Sequence, residues 1–405
     1  MKTGRTICFP FVGNDVGGSH ISALGLIRAL DPSRFDPLVL VQDRQGSIAA
    51  MFDEEGIATE VAPPSPSFSH GSRLGPADLL ALARAAKDLA RFLRRRGVAI
   101  VHTNDGRTHA SWALPAKLAG ARLVWHHRGS PDALGKRLLA PLLADQLISV
   151  SDFAARSRGF ALPVRRSAIV HSPFDTSLAE DRTDAKQALL HELGCAPSTN
   201  LVGFSGAMTA RKRPLLFVEA IAKLLGRAPG LPVRGVMFGD YFDVTAAMIR
   251  KRARSLGVEH AIHLMGFRSP GSRWLAGCDM LMVPAVDEPF GRTLIEAMLV
   301  GTPVVATRSG GNVEALRGGE LGLLVEPENP DMLAQAAIRA LSDPEIRDAT
   351  TARAQADART RFGIARHAEA VMNLYDELLL KRSARAPALQ SREAPVASRA
   401  RSAAE

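Results

Sequence analysis

The stretch EPFGRTLIEAMLVGTPVV, from Glu288 to Val305, joins a turn, a helix and a strand with few residues between them. The apolar run before it, DMLMVP, predicts a buried strand. Phe-Gly marks a turn, and the apolar spacing that follows predicts a helix from about Arg292 to Leu299. Gly-Thr-Pro ends that helix and leads into a Val-Val run. The stretch therefore predicts a β-α-β unit with parallel strands.

The same alternation of strands and helices extends along the whole chain. One series runs from TICFPFV to ADQLISVS, and a second begins with NLVGFSG, Asn200 to Gly206. Because parallel strands need crossovers that cover the sheet, this predicts an α/β fold with two doubly wound parallel-sheet domains. The polar segment from His171 to Asp184 reads as the linker. We predict Rossmann-like domains over 1–178 and 179–360, a helix over 361–382 and a disordered tail over 383–405.

Composition restricts the class of protein. The chain has 405 residues, of which 46% are apolar and 23% charged, so we expect a globular protein with more than one core. Cys8, Cys195 and Cys278 form no CxxC or Cys/His cluster, which predicts a reducing compartment and no zinc site. The N-terminus lacks the apolar region of a signal peptide, and no stretch has the length of a membrane span. We therefore expect a cytoplasmic protein.

The net charge of +10 has three interpretations. It can be a solubilising surface, it can attract anionic small molecules or the inner face of a membrane, or it can attract nucleic acid. We expect no nucleic acid partner, because the basic residues are scattered, aromatic residues are 5% and no binding motif occurs. The densest basic cluster, Arg91 to Gly97, ends a helical pattern, where cations favour the helix C-terminus. Peripheral contact with an anionic membrane is the other interpretation of that cluster.

Ligands of open parallel sheets bind beyond the carboxyl ends of the strands, so every turn that follows a strand is a candidate site. In FVGNDVGGSH, Gly13, Gly17 and Gly18 lie between a strand and a helix, where backbone can approach an anion. A plain tight turn fits them equally well, and the pattern is neither a dinucleotide fingerprint nor a Walker A loop. In WHHRG, Trp125 to Gly129, a strand-end histidine can serve in acid–base chemistry or can simply be a core histidine.

The turn FSGAMTARKRP carries Arg211, Lys212 and Arg213 directly before a helix. Cations at a helix start oppose the helix dipole, and a bound diphosphate would relieve that cost. A solvated run of charges is the alternative interpretation.

The opening stretch contains the strongest candidate site. Glu288 precedes its helix, Glu296 lies inside the helix, and the amides near Gly291 to Leu294 are at the helix N-terminus, where they are unpaired and suit a phosphate. A carboxylate accepts two hydroxyl hydrogen bonds, as a sugar or ribose diol would offer. Spacing does not exclude a glycosidase carboxylate pair, but phosphate-binding amides between the two glutamates argue against it.

Taken together, these residues resemble the E-x7-E region of retaining glycosyltransferases of the GT-B fold, family 4. The specific block is EPFGRTLIEAMLVGTPVVATRSGGNVEAL followed by GLLVEPENP; the early Gly-Gly, HHR, VSDF and the lysine-containing turn occur in the expected order. The resemblance implies transfer of a hexosyl-type group from a nucleoside-diphosphate sugar to a glycan or lipid-linked acceptor, in cell-envelope polysaccharide biosynthesis. It implies no cofactor and no metal, and the chain indeed contains no Asp-x-Asp triplet.

The resemblance also assigns roles to single residues. His126 matches the histidine of the cleft, with His127 as the alternative one position on, and Glu288 matches the glutamate that contacts the donor sugar. Glu296 matches the glutamate that binds the ribose hydroxyls. The other donor-binding residues are Gly17, Gly18, Arg211, Lys212, Phe290, Gly291, Arg292, Thr293 and Leu294. The helix IARHAEAVMNLYDELLLKR would return to the N-terminal domain, as the last helix of the family often does.

Two positions depart from the family pattern. Ala207 stands where an arginine is common, so one phosphate-binding arginine is missing and Arg211 is the candidate to replace it. Thr293 stands where many relatives have proline, which changes a turn and removes no chemistry. Two alternative functions stay open: a sugar-nucleotide epimerase or hydrolase of the same fold, and a degenerate sugar-nucleotide-binding protein, favoured only by Ala207. We expect the acceptor to meet N-domain loops such as Pro63 to Pro76.

Overall fold

The computed structural model describes residues 4–64 and 75–383. The strands are β1 (Arg5–Pro10), β2 (Phe35–Val41), β3 (Thr59–Val61), β4 (Ile100–Thr103), β5 (Arg122–His127), β6 (Gln146–Ser149), β7 (Ser167–Ile169), β8 (Asn200–Ser205), β9 (Val233–Phe238), β10 (Ile262–Gly266), β11 (Met280–Val283), β12 (Val304–Thr307) and β13 (Leu323–Val325). They form a seven-stranded sheet in the order β3-β2-β1-β4-β5-β6-β7 and a six-stranded sheet in the order β10-β9-β8-β11-β12-β13. The strand pairs in both sheets are parallel. The predicted α/β fold with two doubly wound parallel sheets is confirmed.

Helices connect the strands. They are α1 (Gly18–Arg28), α2 (Ser47–Asp53), α3 (Pro76–Arg95), α4 (Gly106–Ala119), α5 (Ala140–Leu143), α6 (Asp152–Ala155), α7 (Arg182–Leu193), α8 (Pro214–Arg227), α9 (Ala246–Ser255), α10 (Gly271–Ala276), α11 (Arg292–Leu299), α12 (Gly311–Ala315), α13 (Pro330–Ser342), α14 (Thr351–Arg361) and α15 (Ile364–Ser383). None of these described helices combines the length and the apolar character needed to cross a bilayer.

The strand order places the site. In each sheet the order reverses beside the first strand of that domain, between β1 and β4 and between β8 and β11. The central strands are buried on both faces, as expected when helices cover both sides of a parallel sheet. Chain segments leave β1 and β4, and likewise β8 and β11, in opposite directions at the reversal, which opens a crevice beyond the carboxyl ends of the strands.

The segment predicted to be a polar linker contains the start of a helix. α7 begins at Arg182, because the Asp181 side chain accepts hydrogen bonds from the amides of Thr183 (2.9 Å) and Asp184 (3.1 Å). The helix packs against α10 in the second domain. The loop Pro63 to Pro76 and the predicted tail lie mostly outside the described residues.

The last helix, α15, packs on the first sheet although it follows the second domain in sequence. Tyr375 is fully buried in a core that also contains Ile7 and Phe9 of β1. The N-terminal and C-terminal domains also touch directly, since the Asp152 amide donates to Oε2 of Glu314 at 2.8 Å. The carboxyl ends of both sheets therefore lie on either side of a shared cleft.

Candidate active site

The start of α11 is built around Gly291. Its backbone has φ 76° and ψ 67°, a left-handed conformation that favours glycine. The amides of Arg292 and Thr293, in the first helical turn, have no acceptor within the helix. The Leu294 amide donates to the Gly291 carbonyl at 3.1 Å, so the prediction that amides as far as Leu294 are unpaired is wrong for that residue. Two helix-start amides remain for an anion.

Phe290, immediately before Gly291, serves the core with its side chain. It is buried in a cluster between the domains, stacked on His171 at 5.1 Å between ring centroids and edge-on to Phe362 at 5.4 Å. The side chain of Leu294 is also fully buried. Only the backbone of these two residues could meet a ligand.

Glu288 is a buried carboxylate held by two cations. Its side chain is nearly covered, at 7% exposure for the residue. Nζ of Lys212 lies 2.9 Å from Oε2, and the Arg211 guanidinium donates to the same oxygen. Burial alone would raise the pKa of Glu288, but the charges of Lys212 and Arg211 outweigh it and hold the pKa below its usual value of 4.5. The carboxylate is therefore ionised at neutral pH.

Two glycines that sequence reasoning passed over fix the backbone of Glu288. The Gly311 amide donates to the Glu288 carbonyl at 2.7 Å. Gly310 has φ 59°, and a Cβ there would lie 2.4 Å from that same carbonyl oxygen. Any other residue at position 310 would push the Glu288 backbone aside. The available signal was the Ser-Gly-Gly-Asn motif inside the E-x7-E block, to which the resemblance gave no role.

The lysine-containing turn reaches the same place from β8. A short 3-10 turn spans Ala210–Lys212, and the Arg211 carbonyl accepts from the Val286 amide at 3.0 Å, which ties this turn to the loop before Glu288. Lys212 and Arg211 point at Glu288, whereas Arg213 pairs with Glu328 at 2.7 Å. Two of the three predicted cations therefore belong to the candidate site.

Arg292 bridges the two domains. Its NH1 donates to Oγ of Ser22 on α1 at 3.0 Å and to the Pro173 carbonyl at 3.2 Å. Its NH2 lies 3.4 Å from Oε1 of Glu296, one turn further along α11. Gly18 faces its aliphatic part, where an added Cβ would lie 2.8 Å from Cδ. The structure thus brings together Gly18, Arg292 and Glu296.

Gly17 is the residue before α1, but its amide is not free. It donates to Nδ1 of His20 at 3.1 Å. Gly13, four residues earlier, has φ 88°, and NH1 of Arg107 is packed against it, 2.1 Å from where a Cβ would be. The N-domain wall of the cleft therefore presents an arginine beside the glycine turn.

His126 is further from solvent than a strand-end position suggests. It is 0% exposed, and its Nδ1 contacts Nε2 of His102 at 3.1 Å and NH2 of Arg128 at 3.3 Å. Its Nε2 has no partner among the described residues. Burial, reinforced by the charge of Arg128, lowers the pKa of His126 well below 6.5, so the ring is neutral.

His127, the alternative, is 5% exposed, and its Nε2 contacts the Ser130 carbonyl at 2.8 Å. Burial lowers its pKa to about 4. Both histidines are neutral hydrogen-bonding groups at the end of β5.

Within the described residues, no group of three or more His, Cys, Asp or Glu side chains is arranged to hold a metal ion. Metal independence of any reaction stays a prediction. The site consists of an ionised carboxylate with two cations, a helix start with free amides, and a second carboxylate tied to an interdomain arginine.

A fold with two facing Rossmann-like domains and a site in the cleft between them is the GT-B fold. Solved structures support this. Anabaena HepE in complex with UDP and glucose has a TM-score of 0.75 and 21% identity over 91% of this chain and 99% of that one. Sucrose-phosphate synthase from Thermosynechococcus elongatus has a TM-score of 0.70 and 17% identity over 93% and 100% of the two chains.

The sequence comparisons find glycosyltransferases. Residues 199–343 match the family model described as glycosyl transferases group 1. A D-inositol 3-phosphate glycosyltransferase of Corynebacterium jeikeium is 34% identical over 194 residues, 46% of each chain. The lipopolysaccharide core biosynthesis mannosyltransferase LpsB of Rhizobium meliloti is 28% identical over 285 residues, 63% of this chain and 80% of that protein. The chain spans about half the length of the inositol phosphate glycosyltransferases that it matches.

Proposed function

We propose that this chain is a retaining, metal-independent glycosyltransferase of family 4 that transfers a hexosyl group from a nucleoside-diphosphate sugar. One observation carries the proposal. Glu288, Lys212 and the free amides of α11 meet at the carboxyl ends of β8 and β11, facing the N-terminal domain. The names of the relatives, a glycosyltransferase and a mannosyltransferase, support the same class of reaction.

Departure of the diphosphate is the step that these groups would assist. Breaking the bond between the sugar and the diphosphate places negative charge on the leaving oxygen. The amides of Arg292 and Thr293 and the Lys212 ammonium are positive groups fixed before the reaction, which is the arrangement that stabilises developing charge without reorganisation. Lys212 would exchange its contact with Glu288 for a phosphate oxygen when the donor binds.

The two glutamates would orient the rest of the donor. Glu288 is ionised, so both of its oxygens can accept hydrogen bonds from sugar hydroxyls. Glu296 can accept the two ribose hydroxyls in the same way. Because no further carboxylate among the described residues is placed to act as a covalent nucleophile, we propose front-face displacement. His126 would offer its neutral Nε2 to the donor sugar once the cleft opens to it, since that atom is buried here.

The acceptor would enter from the N-terminal domain. We propose a glycan or lipid-linked acceptor, as expected for cell-envelope polysaccharide biosynthesis. Contacts across the cleft, such as Arg292 with Ser22, exclude water and so limit hydrolysis of the donor.

A cytoplasmic enzyme with peripheral contact to an anionic membrane is part of the proposal. Its support is a set of exposed apolar side chains on the outer face of α4, in residues 134–143 and in the loop that contains Phe160. They include Leu118 (46% exposed), Leu134 (69%), Leu142 (68%) and Phe160 (73%). Arg137 joins two of these parts, since its Nε donates to the Phe160 carbonyl at 2.5 Å. Apolar groups exposed in such a cluster commonly mark an interaction surface.

Basic residues border this apolar face. The C-terminal end of α3 packs beside α4, and NH2 of Arg94 donates to the Leu118 carbonyl at 3.0 Å. Arg94 and Arg95 are exposed. An apolar face bordered by cations fits the headgroup region of an anionic bilayer.

Vesicle sedimentation tests the membrane contact. Leu134→Ser combined with Leu142→Ser should lower binding to phosphatidylglycerol vesicles. Leu380→Ser, an exposed leucine on α15, is the matched control. Equal binding of wild type and the double variant, or equal binding to neutral vesicles, would remove this part of the proposal.

A thermal-shift panel of UDP-, GDP-, ADP- and TDP-sugars, with and without EDTA, tests the donor. Stabilisation by one nucleotide series, unaffected by EDTA and lost in Glu296→Ala, is the expected result. Glu320→Ala, which removes an exposed glutamate, is the control. Unchanged donor affinity in Glu296→Ala would contradict the assignment.

Product analysis separates the proposed reaction from its alternatives. A glycoside with the anomeric configuration of the donor is expected. Free or epimerised sugar without acceptor would indicate a hydrolase or epimerase, and binding without turnover would indicate a degenerate binding protein.

A further inference from the structure

Arg128 is a charged residue that the proposed mechanism does not use. It follows β5, and the hydrogen-bond partners of its guanidinium in the described part of the chain are neutral. NH1 donates to Oγ of Ser172 at 3.1 Å, and NH2 lies 3.3 Å from Nδ1 of His126. Its Nε is buried and has no partner in the described part of the chain. Among those residues no carboxylate lies within ion-pair distance of Arg128, although the nearby Asp105 carboxylate acts on its charge.

A second guanidinium reaches the same segment from the other domain. Arg292 donates to the carbonyl of Pro173, the residue after Ser172. The one carboxylate that it contacts among the described residues is Glu296, at 3.4 Å. Burial, followed by the charge of Arg292, lowers the pKa of Arg128 to about 9, and burial lowers the pKa of Arg292 as well. Two partly buried cations thus flank residues 172–173, and among the described residues the one carboxylate paired with either of them is Glu296, on Arg292.

Such an arrangement is costly without an anion. A charge withdrawn from water is costly unless an opposite charge compensates it. Hydrogen bonds to the Ser172 hydroxyl and to His126 require only a neutral donor. A glutamine side chain would supply that donor without withdrawing a charge from water. The positive charge of Arg128 therefore has a use beyond these two hydrogen bonds.

The surroundings favour an anionic ligand. α1 begins at Gly18, beside Arg292, and its N-terminus adds partial positive charge. Asn104 follows β4, the strand next to β5, and is almost fully buried. The Nδ2 and Oδ1 atoms of its side chain lack partners among the described residues. Unpaired buried polar groups of this kind call for a hydrogen-bonding partner.

The geometry points to a phosphate-binding site on the N-domain side of the cleft, formed by the guanidiniums of Arg128 and Arg292. Phosphate in this cleft has two sources: the donor diphosphate, for which Arg128 would replace the arginine missing at Ala207, or a phosphate carried by the acceptor. The site itself is independent of the proposed function, whereas the assignment of its phosphate to donor or acceptor rests on it.

Titration of the full chain with inorganic phosphate, at constant ionic strength, tests the site. Arg128→Gln should weaken phosphate binding at least tenfold, and Arg128→Lys should weaken it less because the charge is kept. Arg156→Gln is the matched control, because Arg156 is an exposed N-domain arginine directly after α6 that pairs with Asp152 of that helix. Phosphate affinity in Arg128→Gln equal to that of wild type would overturn the site.

UDP then identifies the source. If Arg128→Gln weakens UDP and phosphate binding alike, the anion is the donor diphosphate. If UDP binding is unchanged and UDP-saturated wild type still binds phosphate through Arg128, the anion belongs to the acceptor. Binding of UDP is measured separately in Glu296→Ala. Unchanged UDP affinity in that variant would contradict the proposed function, whereas unchanged phosphate affinity in Arg128→Gln would contradict the phosphate site.

The melting temperatures of the Arg128 variants show whether Arg128 serves the fold instead of a ligand. Removing a partly buried charge that lacks a counterion should leave the melting temperature in phosphate-free buffer unchanged or higher. A lower melting temperature in both Arg128→Gln and Arg128→Lys would show a structural clamp instead and would overturn the proposal.

Discussion

Lowering the pH from about 7.5 to about 5.5 should destabilise the N-terminal domain, because buried histidines packed there are held neutral. Burial also lowers the pKa of His20, but the Asp105 carboxylate opposes that shift, so five other histidines dominate the effect. They are His102, His109, His126, His127 and, on α15, His367. Burial lowers the pKa of each below the usual 6.5, to about 4 for His127 and to about 3 for His367. In the unfolded chain the usual value returns, so the unfolded state takes up these protons first.

The size of the effect follows from proton linkage. Folded pKa values below the unfolded value mean that stability is lost as the pH falls below about 6.5. One unit below that value, each histidine has lost about 1.4 kcal/mol of stability. Five of them together lose about 7 kcal/mol, which is comparable to the whole stability of an ordinary domain. Glu288 does not contribute in this window, because the stability from its depressed pKa is lost only below its usual value of 4.5.

Urea unfolding at the two pH values measures this loss. Trp112 and Trp125 report on the N-terminal domain, and Trp274 reports on the other. His109→Gln should reduce the pH-dependent loss by about 1.4 kcal/mol, the contribution of one proton. His191→Gln, which changes an exposed histidine on α7, should not alter it. A total loss below about 2 kcal/mol would refute the reasoning that these histidines are buried as neutral groups.

Two substitutions at the donor site have matched controls in the chain. Lys212→Gln should lower kcat on the order of 100-fold in a donor-turnover assay, because a positive group at the leaving diphosphate is lost. Its control is Lys223→Gln, which alters a half-exposed lysine on the outside of α8. A kcat of Lys212→Gln within about twofold of wild type would contradict the role of Lys212. Gly310→Ala should weaken donor binding in calorimetry, since its Cβ would lie 2.4 Å from the Glu288 carbonyl. Gly318 has a similar φ of 70°, but a Cβ added there would meet nothing within 4 Å, so Gly318→Ala should lower stability alone. Equal donor affinities in the two variants would contradict the idea that Gly310 positions the Glu288 backbone.

Local signals explain the parts of the fold that the sequence predicted well. The helix from Arg292 to Leu299 has the predicted bounds, because a glycine that favours left-handed backbone and an apolar helical repeat both lie within the stretch itself. The parallel sheets follow in the same way from alternating apolar runs. The start of α7 was predicted as part of a linker, because its sequence is polar. The helix is stabilised instead by the Asp181 cap and by packing on α10, which is distant in sequence.

Non-local contacts explain what the sequence could not show. His126 stands at a strand end, where exposure is expected, but α15 covers it from far along the chain. The ring of His367 stacks on His126 at 5.8 Å between centroids, and the Tyr375 hydroxyl is hydrogen-bonded to His102 beside it. No feature near His126 in sequence indicates these neighbours, and the pairing of Glu288 with Lys212 depends equally on two turns that are far apart in the chain.

The contacts of Arg292 explain how a residue of the donor helix reaches the opposite domain. Its guanidinium holds Ser22 and the Pro173 carbonyl, and it stacks over Phe174 at 4.4 Å, while Glu296 balances part of its charge. In the proposed function Glu296 also accepts the ribose hydroxyls. Because one carboxylate would serve both partners, binding of the donor and the contact between the domains depend on the same side chain. A ribose that draws Glu296 away leaves Arg292 with more uncompensated charge, and a phosphate beside Arg128 would restore the balance. Donor binding, domain contact and the second anion are therefore linked through Arg292.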